Sequence, residues 1–256
     1  MADKSLLVCN EVEVSSEIKI RIPTVEEVLN DEQFYYGIVN QITASPYSMM
    51  SQLDDAGIDF TTTTEFELFI MNSVYIFSKD LSMFFGNTFS KLYEVLSDDN
   101  VSLEIKQQAL FPVRKQENDV LCLYDMIDDV LIDEYIFTKI ADTFRKINII
   151  EKDNRKAGNE AAKKYLITKN RRYLKRHQND EYKPFFENYV VSLVNKQEFK
   201  YNYEETLKLS IYKFNRSLKQ IKHVVEFDKI TNGIYAGTVD ASKITDKSAL
   251  SFIGTK

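Results

Sequence analysis

After a short apolar run at residues 6–9, Val12 and Val14 and then Ile18, Ile20 and Ile22 recur at a spacing of two. That is the period of a strand with one buried face, and it predicts two short paired strands. Pro23 closes the second. Thr24 followed by Glu26 and Glu27 opens a helix expected to reach about Ile42, since a hydroxyl accepts from free first-turn amides and acids suit the positive end of the dipole. Pro46 starts a short helix through Met49, Met50 and Leu53, and Gly57 ends it, because glycine tolerates the left-handed conformation of a C-terminal cap. Thr61 to Thr64 lead into Glu65, Phe66, Phe69, Ile70 and Ser73, a capped helix with a wide apolar face predicted to be central to the core.

From Leu81 to Tyr124 the period is mixed, and Phe84-Phe85-Gly86 and Leu92 to Leu96 fit short helices or strands equally well. Gln107 to Val113 and Val120 to Tyr124, separated by the polar Arg114 to Asp119, predict a hairpin. Asp133 caps a helix with Ile136, Ile140, Phe144 and Ile147 on one face. Asn154 to Gly158 is a polar break, read as a hinge. Beyond it, helices are predicted from about Asn159 to Gln178, Pro184 to Asn195 and Tyr203 to Phe227. A turn-rich tail follows from Ile230 to Phe252, with Gly233 and Gly237 bracketing Ile234 and Tyr235. The class is therefore α+β and predominantly helical, with a small N-terminal β-hairpin and a mid-chain hairpin packed on a helical bundle. Seven glycines and four prolines in 256 residues fit long helices better than the turns of an all-β fold.

Charge divides the chain. Residues 1–150 carry 26 acids against 11 bases, a balance of −15, whereas residues 151–256 carry 13 against 22, a balance of +9. The division suggests an acidic mixed α/β region, 1–150, and a basic helical region with a turn-rich tail, 151–256, or one continuous domain holding both. Most of the excess lies in residues 151–177, where ten Lys and Arg face three acids. Opposed fields of this kind either attract each other within a fold or meet different partners. Lys163, Lys164, Lys169, Arg171, Arg172, Lys175 and Arg176 are thus candidate partner-binding residues. Tyr165 and Tyr173, interleaved among them, add the alternative of stacking on bases, but no helix-turn-helix, zinc-finger or RRM signature accompanies them. An acidic protein partner, or the chain's own first part, ranks above nucleic acid.

A second candidate surface is the seam Leu207, Ile211, Phe214, Leu218, Ile221 and Val225, spaced 4, 3, 4, 3 and 4. This is a heptad stripe. It packs in the core, or forms a partner or homo-oligomer contact if exposed.

Catalytic and cofactor signatures are not found. Asp125, Asp128, Asp129, Asp133 and Glu134, with Asp54, Asp55 and Asp59, do not follow the calcium-loop spacing and read as a solvated acidic edge. Two histidines, His177 and His223, provide no HExxH or zinc set, and no phosphate-binding glycine loop occurs. No enzyme activity, metal or cofactor is expected. Cys9 and Cys122 sit among apolar neighbours as free thiols. The start lacks the pattern of a secretory signal and the richest apolar run, Phe66 to Phe77, is interrupted by Glu67, Asn72 and Ser73, so an intracellular protein without membrane contact is expected.

Three stretches carry a resemblance: Ile20 to Phe60, containing IRIPTVEEVLNDEQFYYGIVN; Ile140 to Ile167, containing IADTFRKINIIEKDNRKAGNE; and Gln197 to Ile244, containing EETLKLSIYKFNRSLKQIKHVVEFDKITNGIY. Together they resemble proteins encoded in the morphogenesis region of tailed phages and prophages of Gram-positive bacteria. The resemblance implies a tail assembly protein in the host cytoplasm, of the chaperone kind, with tape-measure or tail-tube proteins as partners. The alternative it implies is a structural component of the virion, at the neck, connector or tail tip.

Overall fold

The computed structural model describes residues 5–114 and 120–254. Strands β1 (Glu11–Glu13) and β2 (Lys19–Arg21) pair antiparallel with Val12 opposite Ile20, and Ile18, Ile20 and Ile22 face the core. The apolar residues 6–8 form a turn instead of extending the hairpin. Thr24 then caps α1 (Val25–Asn30) in a reciprocal box: its hydroxyl accepts from the Glu27 amide, and Glu27 accepts from the Thr24 amide at 2.8 Å. The single helix expected here is broken at Asp31, which has φ −144° and ψ 60°, and resumes as α2 (Glu32–Ile42). Val25 and Val28 on one side of the break and Tyr35, Ile38, Val39 and Ile42 on the other are all buried.

A 3-10 turn at Pro46–Ser48 precedes α3 (Met50–Asp55), and Gly57 at φ 74° follows it in the left-handed region foreseen for it. Thr64 and Glu67 form a second capping box at the start of α4 (Glu65–Phe77). Phe66, Phe69, Ile76 and Phe77 of this helix lie in the core. The ambiguous stretch that follows is helical: α5 (Ser82–Phe85), α6 (Ser90–Ser97) and α7 (Leu103–Ala109). Residues 107–109, expected in a strand, belong to α7, which Ser102 caps by accepting from the Ile105 amide.

The mid-chain hairpin is two strands of a three-stranded antiparallel sheet, β3 (Leu110–Arg114), β4 (Leu121–Asp125) and β5 (Val130–Asp133), in that spatial order. Pro112 is confined to the edge strand, where its missing N–H costs no ladder bond to a further strand. Residues 115–119 of the expected hairpin turn lie outside the described residues. β5 was not foreseen. The acids before it form its turn: the Asp125 carboxylate accepts from the Ile127 and Asp128 amides, and Asp129 takes φ 53°. Asp125 is buried, not solvated, so desolvation pushes its pKa up, aided by the nearby charges of Asp128 and Asp129.

Asp133 caps α8 (Glu134–Asn148) as expected. Then come α9 (Glu160–His177), α10 (Phe186–Val194), α11 (Tyr203–Lys208) and α12 (Ile211–Tyr235). The long helix foreseen from Tyr203 is thus two, and the second runs on past Phe227 to Tyr235. Its break is a joint. Val25 donates to the Leu209 carbonyl and Ile211 to the Pro23 carbonyl, each at 2.8–2.9 Å, while Ser210 caps α12.

One apolar cluster joins both halves of the chain. It includes Ile20, Phe69, Phe84, Phe85 and Phe144 from the first and Phe186, Phe199, Ile211 and Phe214 from the second. Rings pack edge to face within it, as at Phe186 and Phe214, 5.3 Å apart. A smaller cluster of Met50, Leu53, Phe60, Leu68 and Ile167 stands beside it. No helix among the described residues is long and apolar enough to cross a membrane.

Candidate functional site

The basic helix α9 has two sides with different fates. Asn159 caps it by accepting from the Ala162 amide at 2.8 Å, and Ile167 drives its inner side into the small apolar cluster beside α3. Around that anchor the inner cations meet acids of the first half. Lys163 Nζ lies 2.6 Å from Asp59 Oδ2, and Arg171 Nη2 lies 2.7 Å from Asp54 Oδ2 and also bonds Asp55. Ser51 donates to Asn170 between them. Hydrogen bonding to the Lys163 ammonium, joined by the Thr61 hydroxyl and amide, pulls the Asp59 pKa down to about 2. Part of the charge asymmetry is therefore spent inside the molecule.

The polar break before α9 has neither helix nor strand at 154–158, yet it is pinned. Asp153 accepts from Ser45 at 2.7 Å, and the Ala157 amide donates to the Tyr47 hydroxyl at 2.8 Å. Arg155 bonds Asp153 in bidentate fashion, and this guanidinium is the chief reason the Asp153 pKa lies far below the usual carboxylate range. A cleft of about 310 Å³ opens here, lined by Tyr47, Phe60, Glu65, Lys152, Asp153 and Arg155. Within it Lys152 pairs with Glu65 and Arg155 with Asp153.

The other side of α9 faces solvent. Lys164, Lys169, Arg172, Lys175 and Arg176 are exposed and make no ion pair among the described residues. Every residue from 171 to 185 is exposed, and the body holds this stretch near its two ends, through Arg171 and through Tyr182 and Phe185. The chain is caught again at α10. The buried Glu32 carboxylate accepts from the Tyr182 hydroxyl at 2.6 Å and from the Phe185 and Phe186 amides at 2.8 and 3.1 Å. It thereby supplies the negative charge that a helix N-terminus attracts.

The apolar seam also divides. Leu207 is half-buried on α11, Ile211 and Phe214 are wholly buried in the core, and Leu218 and Ile221 are half-buried. Beyond Phe214 no residue of α12 is fully buried. The tail folds back along this part of the helix. Gln220 Nε2 donates to the Phe252 carbonyl at 2.7 Å, the Gly254 amide donates to Gln220 Oε1 at 3.1 Å, and His223 Nε2 lies 2.6 Å from the Ser251 carbonyl. Gly233 is required where the tail turns: a Cβ there would lie 2.6 Å from Val239 Cγ2. Phe252 and Ile253 remain more than half exposed on the fold-back.

Sequence reasoning placed the cations and the seam but missed their fixed partners, Asp54, Asp55 and Asp59 for α9 and Glu32 for α10. The eight-residue interval between Lys163 and Arg171, about two helical turns, was the available signal for the first set. Glu32 gave none.

Fold and surfaces together give a helix-rich α+β protein that exposes a cationic helix side and a half-covered apolar helix. Residues 175–251, from the last turn of α9 through α10, α11, α12 and most of the tail, match a family model described as the YomV second domain, which belongs to a phage-derived protein family. No curated protein and no solved structure matches the chain.

Proposed function

We propose that this chain is a non-enzymatic phage or prophage tail assembly protein that acts in the host cytoplasm as a chaperone for tape-measure or tail-tube components. The observation that carries the reading is the distal part of α12. From Leu218 to Ile234 it offers a helix about 25 Å long whose apolar residues are only half-buried. The cover is a tail tied to the helix at Gln220 and His223 and, where it turns, at the Gly233 carbonyl, and the whole ledge lies within the span matched to the phage-derived family. A half-covered apolar helix suits an amphipathic helical client, which packs by the same i, i+3, i+4 rule. The sequence resemblance to tail-morphogenesis proteins supports the same reading.

The test is co-purification of the full chain with tape-measure and tail-tube proteins, together with mass spectrometry of purified particles. Recovery of either client, with the chain missing from particles, is the expected result. Recovery of neither client overturns the chaperone. Presence in particles at fixed copy number would assign the chain to the virion as a neck, connector or tail-tip component.

A further inference from the structure

We propose that the outward side of α9 is a binding surface for single-stranded nucleic acid, formed by Tyr165, Lys169, Arg172, Tyr173 and Arg176. At about 100° per residue, Lys163, Asn170, Arg171 and Leu174 fall within about 60° of Ile167, the side docked on α3. Tyr165, Lys169, Arg172 and Arg176 recur at intervals of four, three and four and fall within about 40° of the opposite side, with Tyr173 next to them. The stripe from residue 165 to residue 176 is about 16 Å long. Its access is open, since Tyr165 and Tyr173 are 65% and 58% exposed. No acid occurs between Glu160 and Asp180. The nearest acids of the body, Asp54, Asp55 and Asp59, are held by Lys163 and Arg171 on the inner side.

Two features choose the occupant. Three unpaired cations on one line fit any polyanion, an acidic protein included. The Tyr165 ring beside them is solvated, and Tyr173, packed against the His177 ring at 4.2 Å, is still more than half exposed; such rings fit a polyanion with planar groups to stack, whereas an acidic helix would leave them in water. Stacked bases over a cationic track are how single strands are held without sequence readout. A duplex, whose bases already stack on each other, would use the cations alone. This surface is separate from the α12 ledge, so either assignment stands without the other.

Fluorescence anisotropy of a labelled oligothymidylate, titrated with the full chain, tests the proposal. Three phosphate contacts predict that raising salt from 50 to 200 mM weakens binding about 20-fold, at a slope of about −0.7 per phosphate. K169E/R172E/R176E should lose at least tenfold in affinity and most of the salt dependence. Y165A/Y173A should lose at least tenfold while keeping the salt slope. A control with the same charge change on other exposed lysines, K196E/K208E/K229E, should bind more tightly than the α9 charge variant. All substituted side chains are exposed, so far-ultraviolet circular dichroism should be unchanged. Any of three results overturns the proposal: no binding at 50 mM salt, equal loss in the α9 variant and the control, or unchanged affinity in Y165A/Y173A with polyglutamate competing as well as the oligonucleotide. The last would assign the stripe to an acidic protein.

Discussion

Replacing Glu32 by alanine should detach α10 from α2, and the cost can be worked from three donors. The Phe186 amide is buried, so removing its acceptor leaves an unsatisfied group and costs about 2 kcal/mol. The Phe185 amide and Tyr182 hydroxyl belong to residues more than one third exposed, so water replaces much of what they lose. Together they add about 1–2 kcal/mol. A total of about 3–4 kcal/mol corresponds to a fall in Tm of roughly 6–16 °C for a chain of this size. Glu32→Gln separates charge from shape: it keeps one acceptor oxygen but sets an amide nitrogen against a backbone donor, and should cost about 2 kcal/mol. Urea denaturation followed by circular dichroism, with thermal melts, gives both values. If Glu32→Ala falls within about 0.5 kcal/mol of wild type, or Glu32→Gln equals wild type, the carboxylate does not hold α10 in solution and the contact carries no weight.

Other consequences are open to measurement. Glu65 accepts from the buried Arg145 guanidinium at 3.0 Å, which also has Asp142 and the Thr43 carbonyl as partners, so Glu65→Ala should destabilise by about 1–3 kcal/mol, and the double variant E65A/R145M should recover part of it in the same melts. Phe214 is wholly buried, and Phe214→Ala should cost about 3–5 kcal/mol by urea titration; a cost below about 1 kcal/mol would remove it from the core. The Asp59–Lys163 pair has a definite pH sense. Because the Asp59 pKa is depressed from 3.8 to about 2 on folding, its contribution is complete above pH 3.8 and is lost as the pH falls through about 2. Wild type should therefore lose more stability than Asp59→Asn between those values, and parallel pH profiles would contradict the pairing.

Local chemistry was legible where the partner lay within a few residues. Thr24, Thr64 and Asp133 cap their helices because each needs only an amide three positions on. Features set by distant chain, or by a strand too short to show a period, were not. The seam through Leu207, Ile211 and Phe214 keeps its period across Leu209 and Ser210, and only pairing with residues 23–25 makes a joint there. β5 is four residues long and enters the sheet through a turn of acids that read as a solvated edge. Likewise, the even run of cations in α9 is sorted by where Ile167 packs, which composition cannot show. The unforeseen α7 buries only Ala109 of its seven residues, so it had no apolar period to detect.

The joint between residues 23–25 and 209–211 bears on how the protein is made. These segments lie roughly 190 residues apart, so at 5–20 residues per second a ribosome needs about 10–40 s to deliver the second after the first. During that interval Val25 and Val28 of α1 lack the segment that packs against their helix. Nascent chains stopped before Ile211 should therefore be the species most prone to aggregate.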